Sequence, residues 1–367
     1  MIYNFANPKS GFKKINDEIF NQLRKVVQSG NYINGSNVKL FERNFRNYLS
    51  NKGYIVSCAN GTDAITIALL SYDLQGKKII VPSHTAPASI VGILRAGCIP
   101  LYCDIDSSTL LLSPQAVRET LNKEKNIGGI LCVHLYGYSA DITQLKHISK
   151  ENNLFLIEDC AQSTGTTFKN KMTGTLAHGG CFSFFPTKNL STLGDGGAIW
   201  LPSKKLAQKA SSIAQYGWNN KRIVTLGDGM NSRLDEIHAA ILNIRLKHLK
   251  RDIEKRRTIA TRYDHELDNF FKRIEKSIEQ NPSYHLYVVR VRNRSNLINK
   301  LKQKGINVGI HYYPPNHLNG KLSQHSENLK ITEKISKEII SLPIYPELSS
   351  KDQAKIIKTL NECSKFI

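Results

Sequence analysis

One lysine has the neighbours that a nucleophilic amine needs. Lys188 follows the aromatic run Phe182-Ser183-Phe184-Phe185 and precedes the turn Gly194-Asp195-Gly196-Gly197, where backbone can approach a ligand closely. An ammonium in such surroundings sheds water, and desolvation favours its neutral, nucleophilic form. A second group is Glu158-Asp159, which closes the apolar run Leu154-Phe155-Leu156-Ile157. A carboxylate at the end of a buried strand is costly unless a cation or donors face it. A protonated pyridine nitrogen would suit Asp159; a helix N-cap or strand-end turn is the plainer alternative. A third group, Asn60-Gly61-Thr62-Asp63-Ala64, leads from one apolar run into an apolar helix. Backbone N–H groups at Gly61 and Thr62, with the helix dipole behind them, would bind an anion such as phosphate, although an ordinary helix start reads the same. The fourth segment, Gly229 to Ile237, is a polar turn containing Asn231, Ser232 and Arg233 that opens a long helix.

The elements that must position these groups repeat in a clear rhythm. Between Tyr54 and Trp200 short β-branched runs (YIVSC, KIIVP, IPLYC, GGILCV, LFLIED) alternate with amphipathic stretches. Repeated βα units of this kind predict a mostly parallel sheet covered by helices, with ligands bound at the carboxyl ends of the strands. The stretch from Ser232 to about Asn269 reads as a helix with one interruption, and its spacing of Leu234, Ile237, Ile241 and Ile244 supplies an apolar face. The last ninety or so residues read as α+β: SYHLYVVRVR and INVGIHYYP as strands, NLINKLKQKG and DQAKIIKTLNECSKF as helices. The expected organisation is a large α/β domain over 1–245 and a smaller C-terminal α+β domain over 246–367.

Bulk properties fit a globular enzyme. Hydrophobic residues make up 40% of the 367 and charged residues 22%, which excludes disordered and fibrous classes. The net charge of +21 invites a nucleic-acid reading. No zinc-finger spacing, RNP-type motif or aromatic-interleaved basic patch accompanies it. The basic residues Lys247, Lys250, Arg251, Lys255, Arg256 and Arg257 read as one solvated helix face. Attraction of anionic substrates or membrane surfaces is the functional use for the surplus. Seven cysteines, odd in number and without a Cys-x-x-Cys pair, read as buried thiols of a reducing compartment. The N-terminal residues lack a secretory h-region and no apolar run approaches the length of a membrane span, so a cytoplasmic protein without membrane insertion is expected.

Several motifs occur together and in order: ANGTDA, VPSHT, HLYG, EDCAQ, FSFFPTKNL followed by LGDGGA, the N-x-R-x-D-E-I helix start, IHYYPPNH and SLPIYP. In combination the chain resembles the DegT/DnrJ/EryC1/StrS family of sugar aminotransferases over nearly its whole length. The resemblance implies the α/β architecture of fold-type I aminotransferases. It also implies pyridoxal 5′-phosphate as cofactor, held on Lys188 as the internal aldimine and passing through the pyridoxamine phosphate form. By the same resemblance Asp159 pairs with the pyridine nitrogen and Gln162 lies beside the ring near its hydroxyl. Gly61, Thr62 and Ser183 hold the phosphate, joined by Asn231 from the neighbouring subunit of a homodimer. The implied reaction moves an amino group from L-glutamate to a nucleotide-linked keto-deoxysugar, giving an amino sugar for a surface polysaccharide such as lipopolysaccharide O-antigen.

His84, Tyr136, Lys221, Arg222, His311, Tyr312 and His317 are candidates for contacts with that substrate, and Arg233 for the donor carboxylate; surface or packing roles are the alternative for each. No metal is implied. Related substrates in view are an oxidised ulosonic acid or a cyclitol. The family's sugar dehydratases tend to carry histidine where this chain has Lys188, and a binding protein without chemistry would not need Lys188, Asp159 and Ser183 together. One position departs from the pattern: Ala86 stands where many members place an aromatic side chain over the cofactor ring; either His84 or another group takes over or that face is partly open, and the stacking residue is left unassigned.

Overall fold

Short apolar strands linked by amphipathic helices can cover both of their faces only in a helix-flanked parallel sheet. The computed structural model describes residues 2–219, 221–323 and 328–365 and has this architecture. Strands β1 (Tyr54–Cys58), β2 (Lys78–Pro82), β3 (Ile99–Cys103), β4 (Ile127–Val133), β5 (Phe155–Asp159), β6 (Gly179–Ser183) and β7 (Gly197–Leu201) form one sheet in the order β1-β7-β6-β5-β4-β2-β3. Strand β7 runs antiparallel to both of its neighbours, and the other pairings are parallel.

Register gathers the chemistry at one edge. Val133 stands beside Asp159, Asp159 beside Cys181, and Ser183 and Cys58 both beside Gly197. The turn after β1, the acid that ends β5 and the lysine loop after β6 therefore meet at the carboxyl ends of the strands, as open α/β sheets arrange their ligand sites.

The helices form around this edge for local reasons. Before them come α1 (Asn16–Ser29) and α2 (Ser36–Leu49), which pack against the long α5 described below. Helix α3 (Gly61–Ser71) is capped by Asn60, whose side chain accepts from Asp63 N. Its residues from Asp63 onward are buried between the sheet and α4 (Pro87–Arg95), which is why it lacks a polar face.

Helix α5 (Glu236–Glu266) runs 31 residues without a break. The interruption expected from the sequence does not occur: no Gly or Pro falls within 236–266, and buried apolar residues recur along the helix from Ala239 to Tyr263. The division expected at 245/246 falls inside this helix. Its basic residues are not one solvated face: Arg256 is buried, and its Nη1 donates to the carbonyls of Tyr284 (3.3 Å), His285 (3.3 Å) and Ile344 (3.0 Å). Burial pushes its pKa down to about 10.

Beyond α5, strands β8 (Lys272–Arg273), β9 (Tyr287–Arg290) and β10 (Ile339–Leu342) form an antiparallel sheet, and α6 (Ser350–Ser364) closes the chain. INVGIHYYP is not the strand that its composition predicts. Ile306–Asn307 pairs with Tyr3–Asn4 and Gly309 makes a single antiparallel bridge to Ser341, while the remainder crosses to the large sheet as an irregular strap tied by Tyr312 to Gln162. One apolar cluster joins Ile80 and Ile130 of the large sheet to Tyr263, Val289, Leu342 and Cys363, so the two regions share a core. The seven cysteines are free and buried. Among the described residues, no helix is long and apolar enough to cross a membrane.

Candidate active site

The strand ends enclose a cavity of about 260 Å³ lined by Gly61, Thr62, Asp159, Gln162, Ser183 and Lys188, together with Thr85, Ala86, Ser89, Val133, Leu135 and Phe185. Six residues named from the sequence are thus brought to one space. Lys188 lies in the turn after β6, where its N–H donates to Phe185 O (2.8 Å) and Thr192 N returns to Phe184 O (2.9 Å). Desolvation lowers its pKa to about 8, against an opposing pull from the nearby Asp159 charge. An appreciable share of this amine is therefore neutral near physiological pH, as a nucleophile or base requires.

Asp159 is buried and its oxygens are held separately. Oδ1 accepts from Ala161 N (3.0 Å) and Oδ2 from Ser89 Oγ (2.7 Å). A carboxylate offers about four lone-pair sites, so acceptor capacity remains for a donor in the cavity. At the opposite wall, the first-turn N–H groups of α3 at Gly61 and Thr62 precede any helical carbonyl able to accept them. A Cβ on Gly61 would lie 2.7 Å from Ser183 Cβ, so only glycine lets the helix start approach the serine this closely.

The residues present fit pyridoxal phosphate. An anion cradle, an acid suited to a ring nitrogen and a desolvated amine line one cavity whose remaining wall is largely apolar. Ala86 leaves only a methyl group on that wall, and His84 does not replace the missing ring. His84 is 1% exposed and its Nε2 bonds Tyr136 Oη at 2.7 Å. Because Tyr136 Oη donates to His311 O, it accepts from His84 Nε2, which leaves His84 Nδ1 an acceptor without a partner among the described residues.

The remaining candidates divide into two sets. Tyr136 (0% exposed) and His317 (3%) are walled in with His84, so they frame the cavity rather than open onto it. Tyr136 N donates to Gln162 Oε1 (2.7 Å), and Gln162 Nε2 donates to Tyr312 Oη (2.9 Å). His317 Nδ1 meets Ser83 Oγ at 2.6 Å, and Asn316 Nδ2 donates to the carbonyls of Ser83 and Thr85. His311 binds Ser341 Oγ (2.8 Å), and burial with the Lys188 charge lowers its pKa to about 4. The second set, Lys221, Arg222, Asn231 and Arg233, lies outside the cavity: Lys221, Arg222 and Asn231 are exposed, and Arg233 sits over the Tyr216 ring.

Sequence reasoning missed Thr85, Ser89 and His285. The first two stand within VPSHTAPAS and could have been found by placing Ser89 on the first turn of α4 at the same strand edge. His285 carried no comparable signal. It is buried, and burial followed by the charges of Lys188 and Arg256 holds it well below the usual histidine range.

His134, Glu158 and Cys160 bring three ligand-type atoms together behind the site. The donors and acceptors of His134 and Glu158 are already committed. His134 Nδ1 accepts from Ala140 N, so its Nε2 donates to Glu158 (2.9 Å), which also accepts from Gly174, Leu176 and Ala177 N. This is a support and not a metal site.

The model of the DegT/DnrJ/EryC1/StrS aminotransferase family matches residues 13–361. A dTDP-3-amino-3,6-dideoxy-α-D-galactopyranose transaminase of Aneurinibacillus thermoaerophilus is 38% identical over 94% of each chain. A UDP-2-acetamido-2-deoxy-3-oxo-D-glucuronate aminotransferase of Pseudomonas aeruginosa is 32% identical over 94% of this chain and 96% of its own. The solved structure of S. venezuelae DesV with a ketimine intermediate superposes with a TM-score of 0.95 at 29% identity, covering 100% of this chain and 99% of that one. The chain belongs to the DegT/DnrJ/EryC1/StrS family and is a pyridoxal-phosphate-dependent sugar aminotransferase.

Proposed function

We infer that the enzyme moves an amino group from L-glutamate to C3 of a nucleotide-linked 3-oxo sugar, working as a homodimer. The observation that carries the reading is the cavity in which Lys188, its pKa lowered to about 8, shares one wall system with Asp159 and the α3 N-terminus. C3 is favoured because both relatives named above carry that position in their names, one as a 3-amino and one as a 3-oxo sugar.

Bound pyridoxal phosphate supplies the electron sink for the charge left on a carbon that loses its proton. Lys188 takes that proton from Cα of the donor and, in the second half of the cycle, delivers a proton to C3 of the sugar. Asp159 keeps the ring nitrogen protonated. Gly61, Thr62 and Ser183 hold the phosphate, and Gln162, clamped between Tyr136 N and Tyr312, orients the ring from its side.

Asn231, Lys221, Arg222 and Arg233 serve the neighbouring subunit. They lie outside this chain's own cavity and close to the exposed apolar side chains of Tyr216, Ile223 and Val224 in sequence. Phe20 and Val27 on α1 are exposed as well, and apolar side chains of this kind are what a second copy would cover. Lys221 and Arg222 would then meet the nucleotide diphosphate and Arg233 the donor carboxylate.

The test is a panel of nucleotide-linked 3-oxo and 4-oxo sugars incubated with the enzyme and glutamate, read by mass for conversion of the ketone to an amine. Amination of 3-oxo sugars is expected. Conversion of 4-oxo sugars alone would overturn the position assigned.

A further inference from the structure

The carboxylate of Asp159 does not stand alone. Its Oδ2 accepts from Ser89 Oγ at 2.7 Å, and Ser89 Oγ lies 3.0 Å from Thr85 Oγ1. An ionised carboxylate can only accept, so the single hydroxyl proton of Ser89 points to Asp159. The Thr85 hydroxyl must then donate to Ser89, which gives the chain one direction, Thr85 to Ser89 to Asp159. Both hydroxyls are buried with about 1% of their residues exposed, so bulk water does not compete for these bonds. Both residues also belong to rigid parts of the frame. Ser89 sits in the first turn of α4, and the backbone carbonyl of Thr85 accepts from Asn316 Nδ2 at 2.8 Å.

With Ala161 N on the other oxygen at 3.0 Å, this chain leaves the carboxylate no free rotation. A group that meets a ring nitrogen through one lone pair loses that alignment when its plane turns. We propose that Ser89 is a positioning residue of this enzyme: oriented by Thr85, it fixes the plane of the Asp159 carboxylate against the nitrogen of the cofactor ring. The proposal rests on Asp159 being the partner of that nitrogen. Charge-assisted hydrogen bonds in a dry site are also the strongest that a side chain makes, so losing this one registers in the chemistry and not only in packing.

The experiment compares Ser89→Ala, Thr85→Val, the double variant and Asp159→Asn as holoenzymes, with the ring nitrogen of pyridoxal phosphate labelled with nitrogen-15. Ser89→Ala is expected to lower kcat about tenfold, with KM for glutamate held within about twofold, the signature of an interaction that matters in the transition state. Its nitrogen-15 resonance moves toward that of Asp159→Asn, a displacement that a purely structural serine would not cause. Thr85→Val shows the same changes to a smaller degree, and the double variant resembles Ser89→Ala, because residues in one relay are not additive.

Wild-type kcat and resonance in Ser89→Ala, alongside an impaired Asp159→Asn, would overturn the role of Ser89 and leave Asp159 in place. Additive losses in the double variant would overturn the relay. A normal Asp159→Asn would remove the assignment of Asp159 itself, and the proposal with it. Should Ser89→Ala not fold, Ser89→Cys, a weaker donor of similar size, gives the same reading.

Discussion

Glu158 and Asp159 are neighbours on one strand, and they face opposite sides of the sheet edge with opposite consequences. Behind the sheet, Glu158 accepts four hydrogen bonds, from His134 and from the amides of Gly174, Leu176 and Ala177. In front, Asp159 accepts two, from Ser89 and Ala161, and lines a cavity. Four donors exhaust a carboxylate; two do not. The saturated acid ties the 174–177 loop to the sheet and has nothing left to offer a ligand, whereas the acid with spare capacity is placed for chemistry. Between two buried carboxylates, unspent acceptor capacity facing open space separates function from support.

The largest effect should come from the amine that faces Asp159. Lys188→Met keeps the volume and removes the amine proposed as nucleophile and base, so amination should fall by about 10⁴-fold or more. The same change should stabilise the cofactor-free protein. Burial puts the folded-state pKa of Lys188 near 8, below its ordinary 10.5, so the unfolded chain binds more protons between these values. Wild-type stability therefore rises with pH across that window. The advantage of Lys188→Met in a urea melt should be greatest below pH 8 and shrink toward pH 10.5. An advantage that grew with pH would contradict the desolvated amine.

The two acids should then separate cleanly. Asp159→Asn keeps the fold, with unfolding free energy within about 1 kcal/mol of wild type, and loses about 10²-fold or more in rate. Glu158→Gln does the reverse. It replaces an accepting oxygen with an amide donor that faces other donors, and should cost about 3 kcal/mol in urea while the folded fraction retains near-normal kcat. If Glu158→Gln were stable but inactive, the contrast between the two sides of the edge would fail.

This pair also marks how far the sequence could be read. The strand-then-motif rhythm placed Asn60-Gly61-Thr62 and Asp159 at one sheet edge, because parallel strands must align their carboxyl ends, while the aromatic run and glycine turn marked Lys188 and the family resemblance marked Ser183. Local sequence reported which residues follow a strand, but not which side of it each faces or what meets it there. The partners of Glu158 come from residues 134 and 174–177, and the side-chain partner of Asp159 from residue 89, and only the fold brings them together. Arg256 and Tyr136 illustrate the same limit. A basic helix face and a polar-tipped aromatic near a strand end look solvated or ligand-facing, yet both are buried because carbonyls from distant turns accept their donors. The interruption expected in α5 does not occur because nothing in its sequence breaks a helix, whereas over INVGIHYYP tertiary contacts and not composition decided the backbone.

The smallest effect concerns the face of the cavity that lacks a ring. Ala86 contributes only a methyl group to a wall otherwise made of Val133, Leu135 and Phe185, and it sits at the N-cap of α4 with φ −62° and ψ 142°, a conformation open to any side chain. Ala86→Phe therefore carries no backbone penalty and adds an aromatic surface beside the cofactor. A stacked pair contributes about 0.5–1.5 kcal/mol, so retention of pyridoxal phosphate should improve about twofold to about thirteenfold, measured by the rate at which the holoenzyme loses cofactor on dilution. The gain should be independent of Asp159, since the ring face and the ring nitrogen are different contacts, and the Ala86→Phe/Asp159→Asn double variant should show the two effects summed. Coupling between them would mean that the added ring displaces the cofactor toward the front carboxylate, and Ala86 would then be setting the depth of the site as well as one of its faces.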